Sequence, residues 1–367
     1  MFKKVFLLLT ILCFLLSLNA ITQQEEITLV AVGDIMLAHR LRPFIEEYGP
    51  SYPYKYTAHI FKDADISFAN LESPLSTKGE PVPNKEYTFR ANPKVAEGLK
   101  DAGFDVLSLA NNHILDYGGE ALFETIEVLD SKMIFHIGAG KNIQEAREPI
   151  ILKVKNKKFG FLAYSNTFPE EFWAKEEKAG TAYGKFSSVK EDVKELKEKV
   201  DFLIISFHWG DEEQVSPQEY QRNLAHLAID SGADIILGHH PHILNGIETY
   251  ENGVIIYSLG NFAFGSYSEK AKESAIFRFI LTQKRREDRR TAEETTSRLG
   301  ASESAPLRLQ RLEIIPISVY NKEVKFQPRI LKDKEAERVL ERIQELSNEF
   351  NTKIKVENSK GIITFSE

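Results

Sequence analysis

The segment Gly238-His239-His240-Pro241-His242 sets three imidazoles within four residues. Packing rarely calls for such a run, and Pro241 stiffens it. Four other short segments carry metal-binding side chains: Gly33-Asp34, Asn70-Leu71-Glu72, Asn111-Asn112-His113 and His208-Trp209-Gly210. Carboxylate, amide oxygen and imidazole, without thiolate, suit divalent Mn, Fe or Zn. The donors suffice for two ions. Two ions roughly 3.5–4 Å apart, bridged by a carboxylate, activate a water between them and hydrolyse phosphate esters. Taken singly, the segments have plainer readings. A strand can end in a Gly-Asp turn, Glu72 can be a solvated loop acid, and His208 can be a satisfied structural histidine. It is their combination that points to a metal centre. His39, His59, His136 and His226 read as structural or surface residues.

Each of these segments follows a strand-like apolar run. The runs are 27–32, 66–69, 106–109, 202–207 and 235–237, with further runs at 159–164 and 254–259. Between them lie helical patterns, clearest at 119–131 and 218–231. In the second, Tyr220, Leu224, Leu227 and Ala228 recur on one face. Strand-like runs spaced by amphipathic helices indicate an α/β fold. Open α/β sheets bind ligands outside the carboxyl ends of their strands. Five such ends would therefore converge on one pocket.

Composition narrows the function classes. The 367 residues are 42% hydrophobic and 28% charged, an ordinary globular balance that excludes disorder and a polytopic membrane protein. A net charge of −7 argues against a nucleic-acid partner. The single cysteine, Cys13, excludes an intrachain disulfide and a thiolate cluster. Lys3 and Lys4 precede an apolar run and then Asn19-Ala20. Residues 1–20 thus read as a signal peptide or signal anchor, placing the protein outside the cytoplasm, secreted or membrane-anchored.

The main domain is expected over 27–282. Residues 283–306 hold the run KRREDRRTAEETTSRLGASESA, too poor in large apolar side chains to build a core, and read as a charged surface loop. Residues 307–367 are expected to form a small strand-helix-strand appendage. Its helix, near 334–350, lines Ala336, Val339, Leu340, Ile343 and Leu346 along one face.

Seven ordered motifs resemble the CapA family of capsule and poly-γ-glutamate synthesis proteins, a branch of the calcineurin-like metallophosphatase superfamily. They are VGDIML from Val32, NLESP from Asn70, FRANP from Phe89, LANNHILDYG from Leu109, HWGDE from His208, GHHPH from Gly238 and YSLGNFAF from Tyr257. The resemblance implies a four-layer αββα sandwich with a two-metal centre. It makes Asp34 a first-site ligand, Glu72 the bridging ligand, and Asn112 and His208 second-site ligands. His240 and His242 match the final His-x-His, with His239 a rival that would otherwise contact substrate. His113 becomes the general acid or transition-state stabiliser, oriented by Asp116. Arg90 is either a holder of an anionic substrate group or a structural arginine. The chain differs from the superfamily at three points. Met36 stands at the histidine of Asp-x-His, Glu72 replaces an aspartate, and Ile114 follows His113 where an acid is usual.

Three functions follow as expectations. The first is a metal-dependent hydrolase, with a phosphoester as the leading substrate. The second is a non-catalytic subunit of a membrane-bound polymer synthesis or export complex, with polymer-synthase subunits as partners and an anionic polymer held at the site. The third is an amide hydrolase that trims the polymer.

Overall fold

The computed structural model describes residues 26–283 and 306–365. The expected signal at 1–20, with Cys13, and the charged stretch 284–305 lie outside the described residues. Along the chain run β1 (Glu26–Ile35), β2 (Ile66–Leu71), β3 (Val106–Ser108), β4 (Phe135–Ile137), β5 (Ala139–Gly140), β6 (Ile150–Val154), β7 (Lys157–Ser165) and β8 (Gly180–Thr181). Then come β9 (Phe202–His208), β10 (Ile235–His239), β11 (Ile247–Tyr250), β12 (Gly253–Ile256) and β13 (Glu273–Gln283). The last are β14 (Leu307–Ser318), β15 (Arg329–Ile330), β16 (Lys355–Glu357) and β17 (Lys360–Thr364). The helices of eight or more described residues are α1 (Val95–Ala102), α2 (Gly118–Ser131), α3 (Phe186–Lys197), α4 (Glu219–Asp230) and α5 (Asp333–Ser347).

Two large sheets form. The first has nine strands in the order β16-β17-β14-β13-β1-β2-β3-β4, with β15 added on β14. The second has six, in the order β11-β12-β10-β9-β7-β6. Strands β1 to β4 are parallel, as are β7, β9, β10 and β12. Their carboxyl ends therefore share one rim in each sheet.

Successive side chains on these strands enter different cores, as the two-residue period of a strand requires. Leu29, Phe68, Phe277, Phe161, Ile204 and Leu237 fill the space between the sheets. Their neighbours Val30 and Ala69 face outward and pack with Leu99 of α1 and Leu122 of α2. On the far side Leu203, Ile205 and Ile236 pack with Val193 of α3 and Leu224 of α4. Strands buried on both faces read as apolar runs without alternation. Helix, sheet, sheet and helix make the four-layer αββα sandwich expected.

The C-terminal segment is more closely built in than an appendage. Strand β14 pairs with β13 from Glu273↔Ser318 to Gln283↔Leu307, and β17 extends the same sheet. Helix α5 puts Val339, Leu340 and Ile343 into the core between the sheets. The apolar stripe read from the sequence is thus a core stripe of the main fold.

Candidate metal centre

The two rims bring the singled-out residues together. Asp34 lies near the end of β1, which shifts register against β2 between Ala31 and Asp34. Such irregularities re-aim a side chain. Gly33 permits the approach: a Cβ there would stand 1.7 Å from the Gly260 carbonyl oxygen. That contact lets the Asp34 amide donate to Gly260 O at 3.0 Å. Glu72 follows β2, residues 111–113 follow β3, His208 ends β9, and His239 ends β10. His240 and His242 occupy the turn after β10 with φ of 95° and 59°. Left-handed backbone at non-glycine residues is costly and concentrates at functional sites.

Glu72 is at the centre and fully buried. Its Oε1 has no hydrogen-bond partner and stands 3.7 Å from both His208 Nε2 and His242 Nε2. Two ligand triads share it. One is Asp34, Glu72 and His242, the other Glu72, His208 and His240, and within each the ligand atoms lie within 4.8 Å of one another. Asn112 joins the second, its Oδ1 2.9 Å from His208 Nε2. His240 Nδ1 is also buried without a partner. Buried polar atoms left unpaired are costly, and a cation satisfies this donor set of carboxylate, amide and imidazole. The residues therefore fit a divalent metal.

Charge within the site is sharply partitioned. Burial disfavours the Asp34 carboxylate, but hydrogen bonds from His239 and His242 outweigh it and hold its pKa well below the ordinary range. Glu72 is pushed well above that range by burial and by the Asp34 charge. Burial lowers His208 strongly and lowers His240 to about 3, so both are neutral donors. His242 is raised to about 9: burial opposes its charge, but Glu72 and Asp34 prevail.

Beside the triads lie His113 and Asp116, the pair expected to supply and orient a proton donor. His113 Nδ1 is 2.7 Å from Asp116 Oδ2, and Asp116 is fully buried. With Nδ1 engaged, Nε2 remains for chemistry. His113 and His242 line a cavity of about 290 Å³ that also exposes Arg40, Tyr87 and Phe264.

Two expected substrate contacts are corrected. His239 is 0% exposed and sits behind Asp34, with Nδ1 3.1 Å from Asp34 Oδ1 and Nε2 buried without a partner, so the structure sets it against Asp34 and not in the open cleft expected of a substrate contact. Arg90 donates to the carbonyls of Lys78 and Gly79, each at 2.9 Å, and lies 4.0 Å over the Tyr117 ring. It is a structural arginine. The cleft guanidinium is Arg40, exposed and 4.9 Å over the Tyr267 ring.

Sequence reasoning missed three further residues. Asn70 Nδ2 reaches Asp34 Oδ1 at 2.9 Å and Glu72 Oε2 at 3.4 Å, spacing the two carboxylates. Asn261 Oδ1 is 3.0 Å from His242 Nδ1. Lys85 contacts Asp116, His113 and the Asn112 carbonyl. Asn70 and Asn261 stand inside motifs already noted, which was an available signal; Lys85 stands in none.

The family described as Bacterial capsule synthesis protein PGA_cap matches residues 28–266. The chain belongs to that family. It is 30% identical to capsule biosynthesis protein CapA of Bacillus anthracis, over 71% of this chain and 65% of the relative. It is 33% identical to PGA biosynthesis protein CapA of Bacillus subtilis, over 68% of this chain and 66% of the relative. The chain thus spans just under two thirds of the length of these relatives. Among solved structures, NAD nucleotidase of Haemophilus influenzae is similar with a TM-score of 0.45 and 12% identity, covering 87% of this chain and 62% of that one.

Proposed function

We propose that this chain is an extracytoplasmic metal-dependent hydrolase of capsule or poly-γ-glutamate biosynthesis, with a phosphoester as its substrate. The observation that supports it best is Glu72 Oε1, buried and unpaired between two ligand triads. Asp34, Glu72 and His242 would hold one divalent ion, and Glu72, Asn112, His208 and His240 a second. Such ions supply Lewis acidity and an activated water.

The chain's own groups do the rest. Asn70 keeps the Asp34 and Glu72 carboxylates apart at fixed positions. His113, oriented through Nδ1 by Asp116, delivers a proton from Nε2 to the leaving oxygen. Arg40 holds an anionic group of the substrate at the cleft mouth. The N-terminal apolar run directs export. The relatives' names supply the capsule and polymer context.

The test is the metal content of the purified chain together with hydrolysis of a generic phosphodiester. About two equivalents of metal and metal-dependent turnover are expected. Asp34→Asn and His208→Gln should each abolish turnover in a folded protein. Full activity in both variants would overturn the proposal.

A further inference from the structure

Lys85 lies in the long connection between β2 and α1, apart from every motif that marks the site. Its ammonium donates to an Asp116 carboxylate oxygen and to the Asn112 carbonyl at 2.5 Å, and lies 3.1 Å from His113 Nδ1. The side chain is 16% exposed and passes 5.2 Å from the Phe172 ring. All three polar contacts therefore fall on one turn, the turn that presents Asn112 and His113.

A structural tie does not account for this. The connection is already fastened to that turn and to α2 without Lys85. Val82 N donates to Asp116 O at 2.8 Å, Ser76 Oγ donates to Glu124, and Leu75 N donates to Thr125 Oγ1 at 2.9 Å. What Lys85 adds is control of the Asp116 carboxylate. Asp116 Oδ2 already takes the Phe89 amide at 2.7 Å and His113 Nδ1 at 2.7 Å. Lys85 takes Oδ1. With both oxygens occupied, the carboxylate cannot rotate, and the imidazole it holds is fixed in direction. A long lysine side chain is costly to immobilise, and here that cost yields orientation of an acid–base group.

The geometry points to Lys85 as the positioning residue of His113: it locks Asp116 so that Nε2 of His113 is aimed at the leaving-group oxygen. This rests on the hydrolase reading for its kinetic consequence but not for its structural one.

The kinetic arm compares the methyl p-nitrophenyl and methyl phenyl phosphodiesters. Phenolate is the poorer leaving group and needs the proton more. In Lys85→Met, kcat for the phenyl ester should fall about a hundredfold, that for the nitrophenyl ester much less, with KM nearly unchanged. Metal content should stay at the wild-type value. Ethylammonium should partly restore Lys85→Ala, and sodium at the same concentration should not. Equal losses on both esters, or none, would overturn the assignment.

The second arm needs no turnover. The ring N–H proton of His113, identified by its loss in His113→Gln, should give a downfield NMR signal in the wild type and lose it in Lys85→Met. An unchanged signal would overturn the assignment. If the wild type cleaves neither ester, the hydrolase reading fails, and this signal alone decides the role of Lys85.

Discussion

Glu72 Oε1 and His242 Nε2 face each other at 3.7 Å, just beyond hydrogen-bonding range, with the carboxylate fully buried. His208 Nε2 stands at the same distance on another side. A buried carboxylate oxygen without a hydrogen-bond partner is unfavourable in the metal-free chain and is satisfied by a cation. Glu72→Gln keeps the shape and removes the charge. Bound metal should fall from about two equivalents to one or none by elemental analysis. The thermal stabilisation that added Mn gives the wild type should largely disappear in the variant. Undiminished metal content would remove Glu72 from the bridging position.

The same pair sets a pH dependence. His242 has its pKa raised from 6.5 to about 9 by Glu72 and Asp34, against burial. A raised folded-state pKa adds stability that is complete below the unfolded value and lost as pH climbs through the folded one. Glu72, raised by burial and Asp34, acts in the same direction. Chelator-treated protein should therefore lose on the order of 2–3 kcal/mol between pH 6.5 and 9. His242→Gln should flatten that slope, as should saturating Mn, which replaces the proton. Calorimetry across this range measures both. A slope of the same size in His242→Gln would place the titrating group elsewhere.

The two arginines separate binding from stability. Arg40 is exposed in the cleft, so Arg40→Ala should leave the melting temperature unchanged. It should lower kcat/KM for an anionic substrate by about tenfold, the worth of one charged hydrogen bond. Arg90 binds two carbonyls and the Tyr117 ring. Arg90→Ala should cost about 1–3 kcal/mol and leave KM alone. The reverse pattern would return substrate binding to Arg90.

The contrast between these arginines shows what was legible in the sequence. The segments that hold Asp34, Glu72, Asn112, His208, His240 and His242 follow strand ends in compact motifs, so residue type and position marked the segments, and the family resemblance selected the ligands within them. Arg90 stood in a motif as well, but whether an arginine meets substrate or a carbonyl depends on the path of a loop. Lys85 acts on Asp116, 31 residues along the chain, and no local pattern encodes that contact. Strand β13 escaped for another reason. Glu273, Ser274 and Arg278 interrupt its apolar residues, so neither a continuous apolar run nor a clean alternation stands out. Helix α3 was missed because Val189, Val193 and Leu196 are its only buried residues among many charges.

The C-terminal segment offers the sharpest test of how the fold is joined. Its helix was legible as an amphipathic stripe, but a stripe does not say which core it enters. Leu340 is 0% exposed and packs between the two sheets. Leu340→Ala should therefore lower the stability of the whole fold by about 2–5 kcal/mol. Unfolding should remain one transition, since β14 is paired along β13 and β13 along β1. The neighbouring Glu341 is exposed, and Glu341→Ala should change stability by about 0.5 kcal/mol or less. An independent appendage would behave otherwise. Leu340→Ala would then split off a weak early transition and leave the main one in place. Calorimetry of the two variants distinguishes these outcomes, because only a helix built into the core between the sheets can shift the main transition.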